Sequence, residues 1–260
     1  MTNRIHQLFQ KKNKNILSVF FTAGYPDVDS TGNILRELNK KGIDMVEIGI
    51  PFSDPMADGP VIQKSSTVAL QNGITLKKIL KQIENIRKEI PDMPFIAMGY
   101  INPILQYGIE KFISDAKKAG IDGLIIPDLP FDEYIETFEK LCDEIDLPII
   151  MLITPETSEE RIRLIDSHSK GFIYMVSSAS TTGTRDRFSS SQHEYFNRIN
   201  SMNLKNPRLI GFGISNPETL KDAFRHANGA IIGSHFIKSL TKEKDIASAV
   251  NYLLESIGEY

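Results

Sequence analysis

Eight short apolar runs, separated by longer amphipathic segments, constrain the fold of this chain more than any other feature of its sequence. Each run is rich in β-branched residues and has the length of a buried strand, while the segments between them carry apolar residues at helical spacing. The predicted strands are residues 16–22, 45–50, 94–100, 123–128, 148–153, 171–177, 209–214 and 229–233. Eight successive strand–helix units are typical of either a closed (β/α)8 barrel or an open doubly wound sheet.

The closed barrel accounts better for the regular repeat and for the glycines that end the seventh and eighth runs. A length of 260 residues is also usual for this fold. Residues 4–12, with Ile5, Leu8 and Phe9 on one face, are predicted to form a short helix that closes the bottom of the barrel. We therefore expect an α/β protein in which residues 1–260 form a single-domain (β/α)8 TIM barrel with a short extra N-terminal helix.

Charge and cysteine content exclude several classes of partner. A formal net charge of −3 and a pI near 6.0 argue against nucleic-acid binding, which requires clustered lysine and arginine. Cys142 is the single cysteine, so no intrachain disulfide can form. The N-terminus lacks an apolar signal core, and the longest apolar run, residues 147–153, is too short to span a bilayer. We expect a cytoplasmic protein with no membrane partner, in which any phosphate group is recognised by a local site.

The end of the second predicted strand carries the most informative residues. Because side chains alternate along a strand, Val46 and Ile48 should face the helices while Glu47 faces the barrel interior. A carboxylate in that position must be paired, hydrated, or kept for proton transfer with a raised pKa. A structural bond to an interior Tyr or Thr explains the alternation equally well. Asp54 and Asp58 lie in the loop that follows, where Asp-Pro and Asp-Gly steps are common turn formers.

Glycines at the ends of two neighbouring late strands indicate a phosphate site. Residues 211–215 end the seventh predicted strand, and residues 229–234 contain the eighth. Glycine lets backbone N–H groups approach a phosphate closely, and a following helix adds unpaired donors and a favourable dipole. The polar segment 177–191 follows the sixth strand and is predicted to be a lid over this site. The sequence thus predicts a phosphate held by backbone groups without a lysine.

Motifs for metal and nucleotide binding are missing from the sequence. The histidines show no paired ligand spacing: His6, His168, His193, His226 and His235. No GxGxxG follows the first strand, and no GxxxxGK[ST] occurs. No lysine lies clearly at a strand end, so a Schiff-base mechanism has no obvious residue. We therefore expect carboxylate chemistry with no metal and no cofactor in this chain.

The stretch that begins at Glu47 resembles the signature of the tryptophan synthase alpha chain family. The matching residues are Glu47, Pro51, Phe52, Ser53, Asp54, Pro55, Ala57, Asp58, Gly59 and Pro60. Supporting matches extend over nearly the whole chain, at residues 20–26, 128–130, 182–183, 211–215 and 233–234. The resemblance implies an enzyme of the carbon–oxygen lyase class that cleaves indole-3-glycerol phosphate to indole and D-glyceraldehyde 3-phosphate in tryptophan biosynthesis.

The resemblance also implies roles for individual residues. Glu47 matches the family's general acid–base, and Asp58 matches the carboxylate near the indole nitrogen. The positions that match the indole end are Phe20, Met98, Ile125, Tyr174, Phe212 and Ile231. The positions that match the phosphate cradle are Gly183, Gly213, Gly233 and Ser234, and Tyr100 and Thr182 are further substrate-binding positions.

The implied reaction explains why two acids are needed. Indole C3 must be protonated before the bond to the glycerol side chain can break, and positive charge then develops on the ring nitrogen. Glu47 would supply that proton and afterwards help to remove the glycerol hydroxyl proton, while Asp58 would bind the indole N–H.

A partner is implied as well. Relatives in the family work with a beta chain that carries pyridoxal phosphate, in an alpha2-beta2 heterotetramer. The resemblance implies docking on the active-site face through Asp54, Pro55 and the loop containing Asn102 and Pro103. Two alternatives stay open at this point: another phosphate-binding barrel isomerase, or a regulatory subunit that activates a beta partner and can dispense with Glu47.

Overall fold

The computed structural model describes residues 3–177 and 187–258, and eight parallel strands form one sheet within these ranges. The strands are β1 (Ile16–Thr22), β2 (Met45–Gly49), β3 (Phe95–Met98), β4 (Gly123–Ile125), β5 (Met151–Ile153), β6 (Ile173–Val176), β7 (Arg208–Gly211) and β8 (Gly229–Ile232). They pair in the order β4-β3-β2-β1-β8-β7-β6-β5. The outer strands meet where Leu124 N–H donates to the Pro148 carbonyl (2.9 Å) and Ile150 N–H donates to the Leu124 carbonyl (2.7 Å). The barrel is therefore closed, which confirms the predicted fold over the open sheet.

Most strands are shorter than predicted, although β1 has the predicted bounds. Pairing in a barrel stops where the chain turns outward into the loops. Phe212 and Gly213 have φ angles of 72° and 79°, which a β-strand cannot contain, so the strand predicted over residues 209–214 ends at Gly211. The strand predicted over residues 229–233 ends at Ile232, because Gly233 has a ψ angle of −82° and is the N-cap residue of the helix that begins at Ser234.

One helix precedes the first strand, and the others follow the strands and cover the outside of the barrel. They are α1 (Arg4–Lys11), α2 (Ser30–Lys40), α3 (Pro60–Gln71), α4 (Leu76–Arg87), α5 (Ile101–Tyr107), α6 (Ile109–Ala119), α7 (Phe131–Glu133), α8 (Glu139–Glu144), α9 (Glu159–His168), α10 (Ser190–Ser201), α11 (Pro217–His226), α12 (Ser234–Lys242) and α13 (Ile246–Ile257). A π-helical segment, Tyr134–Phe138, joins α7 to α8. Among the helices of the described ranges, none is long and apolar enough to cross a membrane.

Helix α5 corrects one prediction, because Asn102 and Pro103 lie in a helix and not in a loop. Pro103 is the third residue of α5. Proline is tolerated in the first turn of a helix, since the N–H that it lacks would have no partner within the helix. The proline in this sequence is therefore compatible with a helix start, which the sequence interpretation did not consider.

The N-terminal helix closes the bottom of the barrel, as predicted. Ile5 is fully buried and packs in the same apolar cluster as Ile16 and Phe172 from the barrel strands and their approaches. Burying one such side chain contributes about 1.5–3 kcal/mol. The side chain of Asn3 caps α1 and also donates to the Asp122 carbonyl (2.8 Å) and the Asp146 carbonyl (3.1 Å). Helix α1 is thereby fixed to the barrel floor by both apolar and polar contacts.

The alternation along β2 places its side chains as the sequence predicts. Val46 and Ile48 belong to the large apolar cluster between the strands and the helices. Met45 belongs to the smaller cluster inside the barrel. Glu47 lies between Val46 and Ile48 and is fully buried, so its carboxyl group is directed to the interior side of the sheet.

Candidate active site at the carboxyl ends of the strands

Glu47 is held inside the barrel with half of its hydrogen-bonding capacity unused. Its Oε1 accepts a hydrogen bond of 3.0 Å from the Ser18 hydroxyl on β1. Its Oε2 is buried and has no hydrogen-bond partner among the described residues. Because the ionised carboxylate loses water without gaining a cation, burial raises the pKa of Glu47 to about 8. At neutral pH the group is mainly a neutral acid that can donate a proton.

Asp58 lies in the loop between β2 and α3, and its surroundings are more polar. The Tyr100 hydroxyl donates to Asp58 Oδ2 (3.0 Å) and in turn accepts from the Ala57 backbone N–H (3.0 Å). Burial raises the pKa of Asp58 to about 6, while the Tyr100 hydrogen bond acts in the opposite direction. Asp58 is therefore mainly ionised at neutral pH. The burial of Tyr100 and the charge of Asp58 raise the pKa of the phenol, which stays a hydrogen-bond donor.

The two acids differ in charge at the same pH, since Glu47 is mainly protonated and Asp58 is mainly ionised at pH 7. Burial raises the pKa of Tyr174, and the charges of Glu47 and Asp58 raise it further, so both carboxyl groups lie within electrostatic reach of the same phenol. Neighbouring carboxyl groups with separated pKa values are a common arrangement for one proton donor and one charge stabiliser.

A narrow pocket opens at the carboxyl ends of β1, β2 and β3, above Glu47. It brings together four residues predicted from the sequence: Phe20, Asp58, Met98 and Tyr100. It also contains residues that the sequence interpretation missed, namely Thr22, Gly49, Ile50, Ile62, Ser66, Gly99 and Pro127. The alternation that turned Glu47 inward could have identified Thr22, and also Ser18, because both lie two residues from Phe20 on β1.

The absence of a side chain at Gly49 makes room for the aromatic wall of this pocket. A Cβ atom at Gly49 would lie 2.6 Å from Phe20 Cζ, which is closer than atoms in contact can approach. Gly49 pairs with Met98 in the sheet, whereas Glu47 pairs with Ile96 one inward-facing layer deeper. A flat apolar group between Phe20 and Met98 would thus have the carboxyl group of Glu47 beneath it.

The other predicted residues of the indole end line the barrel interior on β4, β6 and β8 and at the end of β7. Ile125, Tyr174 and Ile231 belong to the interior apolar cluster, and Phe212 packs against it. The rings of Tyr174 and Phe212 are 6.3 Å apart between centroids. Gly211 is required for this packing, because a Cβ atom there would lie 2.2 Å from the Tyr174 hydroxyl. The structure therefore brings these residues to one apolar surface.

The predicted phosphate end lies at β7 and β8. Gly213 has a positive φ angle of 79°, and the carbonyl of the preceding Phe212 accepts from the Ser177 hydroxyl (2.8 Å). Gly233 is the residue before α12, and Ser234 is the first residue of that helix. The first turn of a helix has N–H groups without intrahelical partners, which suit an anion. Thr182 and Gly183, and with them most of the predicted lid, lie outside the described residues.

The predicted docking residues lie near the same end of the barrel. Asp54 and Asn102 are exposed, whereas Pro103 is half-buried and Pro55 is buried. The loop after β2 contacts the residue before α5, because Tyr100 binds this loop through Ala57 and Asp58. The two segments therefore form one continuous surface beside the pocket.

Comparison with protein families finds one matching model over almost the whole chain. It is described as the tryptophan synthase alpha chain and matches residues 6–259. Among curated relatives, a tryptophan synthase alpha chain of Parabacteroides distasonis is 58% identical over 255 residues, covering 98% of this chain and 99% of the relative. The corresponding chain of Phocaeicola vulgatus is 56% identical, with coverage of 98% and 99%.

Solved structures of tryptophan synthase chains have a similar fold. Tryptophan synthase subunit alpha from Legionella pneumophila superposes with a TM-score of 0.88 at 34% identity, covering 99% of this chain and 97% of that one. A chain of Mycobacterium tuberculosis tryptophan synthase superposes with a TM-score of 0.87 at 30% identity, with coverage of 98% and 97%.

Proposed function

The chain belongs to the tryptophan synthase alpha chain family, and we propose that Glu47 and Asp58 carry out the alpha reaction of tryptophan synthase. In this reaction indole-3-glycerol phosphate is cleaved to indole and D-glyceraldehyde 3-phosphate. The observation that carries the proposal is the difference in ionisation between the two acids. Glu47, with a pKa of about 8, holds a proton at neutral pH, whereas Asp58, with a pKa of about 6, holds a negative charge.

Glu47 acts first, as a general acid. Its carboxyl O–H protonates indole C3, and the positive charge of the resulting indoleninium is shared with the ring nitrogen. A buried neutral carboxylic acid is suited to this step, because it already carries the proton that indole C3 receives. The ionised form of Asp58 then accepts a hydrogen bond from the indole N–H and stabilises the cation. The bond from Tyr100 keeps the Asp58 carboxylate oriented.

Cleavage of the carbon–carbon bond follows and returns the proton to the enzyme. The electron pair of the bond between C3 and the side chain moves to C3, which restores the aromatic ring. The side-chain hydroxyl loses its proton to the Glu47 carboxylate and becomes the aldehyde of glyceraldehyde 3-phosphate. Glu47 begins and ends protonated, so the cycle balances without a cofactor in this chain. Positioned acid–base groups of this kind contribute about 10²–10⁴-fold each.

The remaining predicted residues divide between the two ends of the substrate. The indole ring would bind against an apolar surface formed by Phe20, Met98, Ile125, Tyr174, Phe212 and Ile231. The phosphate would bind the backbone around Gly213, Gly233 and Ser234, and the family resemblance assigns Thr182 and Gly183 to the same end of the substrate. The dipole of α12 favours a dianion at its N-terminus without a lysine.

A beta chain is the proposed partner, and it would supply the pyridoxal phosphate. The proposed docking surface contains Asp54, Pro55, Asn102 and Pro103, in an alpha2-beta2 heterotetramer in the cytoplasm. Two exposed apolar side chains support this surface: Met56 follows Pro55 and is 90% exposed, and Leu105 on α5 is 53% exposed. Exposed apolar residues grouped beside a polar loop are typical of protein interfaces.

One assay tests the proposal and separates it from the alternatives. The purified chain is incubated with indole-3-glycerol phosphate, alone and with a beta chain, and release of indole is followed. We expect slow release by the chain alone and faster release with the partner. An isomerase or a purely regulatory subunit would release no indole of its own, so a lack of turnover in both conditions would contradict the proposal.

A further inference from the structure

Two histidines and one aspartate meet between helices α10 and α11, away from the pocket that contains Asp58. His193 lies on α10, and Asp222 and His226 lie on α11. His193 Nε2 is 3.2 Å from Asp222 Oδ2, and His226 Nε2 is 3.7 Å from Asp222 Oδ1. The potential ligand atoms of all three residues lie within 4.8 Å of one another. All three are half-buried, so an ion from solvent can reach them.

We propose that His193, Asp222 and His226 form a binding site for a transition-metal ion of the Zn²⁺ class. Tetrahedral Zn²⁺ with bonds of about 2.0–2.2 Å to nitrogen and oxygen leaves its ligand atoms roughly 3.3 Å apart. The separation of 3.2 Å between His193 Nε2 and Asp222 Oδ2 matches one edge of such a tetrahedron. His226 Nε2 lies 3.7 Å from the other carboxylate oxygen, Oδ1, and one ligand atom from each residue lies within 4.8 Å of the others, so small side-chain rotations would bring all three residues to one ion.

The donor set determines which ions fit. Two imidazole nitrogens and one carboxylate oxygen suit Zn²⁺, Co²⁺, Ni²⁺ and Cu²⁺, whereas Mg²⁺ and Ca²⁺ prefer oxygen ligands throughout. Three protein ligands leave the fourth position of a tetrahedral ion to water. One negative charge from Asp222 partly neutralises the ion, and the positive charge of Arg225, which acts on His226, opposes binding.

Aromatic side chains hold the two imidazoles in place. The ring of Phe196 packs against His193 at 6.2 Å and against His226 at 5.5 Å between centroids. Phe188 packs edge-on against His193 at 6.5 Å. Because these contacts limit ring rotation before an ion arrives, less conformational entropy is lost on binding. The sequence does not reveal the site, since the histidines lie on different helices and show no ligand spacing.

A bound ion would join two helices that flank the proposed phosphate end. Helix α11 follows the loop that contains Gly213, and α10 begins shortly after the segment 178–186. Arg187, just before α10, and Glu218, in the first turn of α11, already form an ion pair of 2.8 Å. The ion would add a second link, from the first turn of α10 to the second half of α11, and because it binds only the folded arrangement it would stabilise the fold.

Metal titration of the full chain tests this proposal. The chain is prepared without a histidine tag, stripped with a chelator, and titrated with Zn²⁺ in a calorimeter. We expect saturable binding of one ion per chain and a thermal unfolding midpoint that rises with Zn²⁺ concentration. Co²⁺ should give the intense visible absorption of a four-coordinate ion. Failure to bind either ion, or only the weak spectrum of hydrated Co²⁺, would overturn the proposal.

Single substitutions assign the ligands. We expect His193→Gln and His226→Gln each to weaken Zn²⁺ binding at least tenfold and to abolish the rise in the unfolding midpoint. Asp222→Asn, which preserves shape, should weaken binding in the same way. The matched control is His168→Gln, because His168 pairs with Glu139 elsewhere on the surface. Equal affinity in the control and in all three ligand variants would show that the ion binds at another place.

Discussion

Asp122 and Glu47 are both buried carboxyl groups of the same barrel, but they lie at opposite ends of it and have opposite surroundings. Asp122 precedes β4 and is 2% exposed. Its Oδ1 accepts from Arg4 Nη1 (2.8 Å), and its Oδ2 accepts from Arg87 Nη2 (3.0 Å) and from the Phe95 N–H (2.9 Å). Glu47 accepts one hydrogen bond and has no cation within salt-bridge distance among the described residues.

The difference separates a structural carboxylate from a reactive one. Burial alone does not decide the role, because both groups are removed from water. Asp122 is compensated by two guanidinium groups, so its charge fastens α1 and α4 to the amino ends of the strands. Glu47 is not compensated, and protonation is the remaining way to lower the cost of its burial. A buried acid without a cationic partner thus holds a proton that it can give to a substrate.

The largest effect should come from Glu47→Gln. We expect the variant to fold and to release indole about 10²–10⁴-fold more slowly, because the amide cannot protonate indole C3. The measurement is turnover of indole-3-glycerol phosphate in the presence of a beta chain. The matched control is Glu89→Gln, which removes an exposed carboxylate that pairs with Arg36. Near-normal turnover of Glu47→Gln would remove this residue from the mechanism.

Asp122→Asn should affect stability where Glu47→Gln affects turnover. Removing one partner of a buried ion pair costs about 3–5 kcal/mol, because the Arg87 guanidinium stays buried without its countercharge. Urea unfolding of the variant and of the unsubstituted chain measures this loss in the free energy of unfolding. As a control, Asp115→Asn breaks a pair with Lys111 at the surface, where solvent screens the charges, and should cost far less. Comparable losses for the two aspartates would show that the carboxylate at the barrel floor is not structural.

The buried carboxyl group of Glu47 should also make the stability of the fold depend on pH. The pKa of Glu47 is about 8 in the folded chain and 4.5 as its ordinary value, so the folded state binds more protons than the unfolded state between these values. Stability from this group is therefore present below pH 4.5 and lost as pH rises through 8, by about 3–4 kcal/mol between pH 5 and pH 8. Glu47→Gln should lack this loss.

Urea unfolding of the unsubstituted chain and of Glu47→Gln, each at pH 5 and pH 8, measures how much stability each protein loses between the two pH values. The glutamine amide adds a constant offset that does not depend on pH, so the change between the two pH values is the informative quantity. Asp58, with a pKa of about 6, contributes the same to both proteins and cancels. Parallel pH dependence of the two proteins would contradict a raised pKa of Glu47.

The smallest effect is expected from Ser18→Ala. The Ser18 hydroxyl bonds Glu47 Oε1 and lowers the pKa of this acid relative to burial alone. Without it the alkaline limb of the kcat profile should move up by about half to one pH unit, which corresponds to a hydrogen bond of about 1 kcal/mol. Ser201→Ala, at an exposed serine of α10, is the control. An unchanged or lowered limb would mean that Ser18 does not act on the proton donor.

The sequence was sufficient for the barrel because its eight strands are apolar on both faces and its helices are apolar on one. This periodicity lies in the local order of apolar and polar residues, and it also predicted the inward position of Glu47. Strand ends were less predictable, since they depend on φ angles such as those of Phe212 and Gly213. The helix containing Asn102 was missed because a proline near its start resembles a loop signal.

The sequence predicted the acidic residues of the candidate site but not the contacts that surround them. The sequence pattern and the family resemblance identified Glu47, Asp58 and Tyr100, yet they did not predict that Tyr100 would bind Asp58 or that Ser18 would bind Glu47. These contacts join residues from different strands and loops, and their partners depend on register and packing. The pKa values of the two acids depend on the same contacts.

The floor of the barrel has a consequence for the order in which the chain can fold as it is synthesised. Helix α1 leaves the ribosome before the strands of the barrel, but Asn3 bonds the carbonyls of Asp122 and Asp146, which are translated 119 and 143 residues later. At about 5–20 residues per second, these partners appear roughly 6–30 seconds after the helix. During that interval the apolar face of α1, with Ile5, has no barrel to enter, so a nascent-chain chaperone would meet this helix exposed.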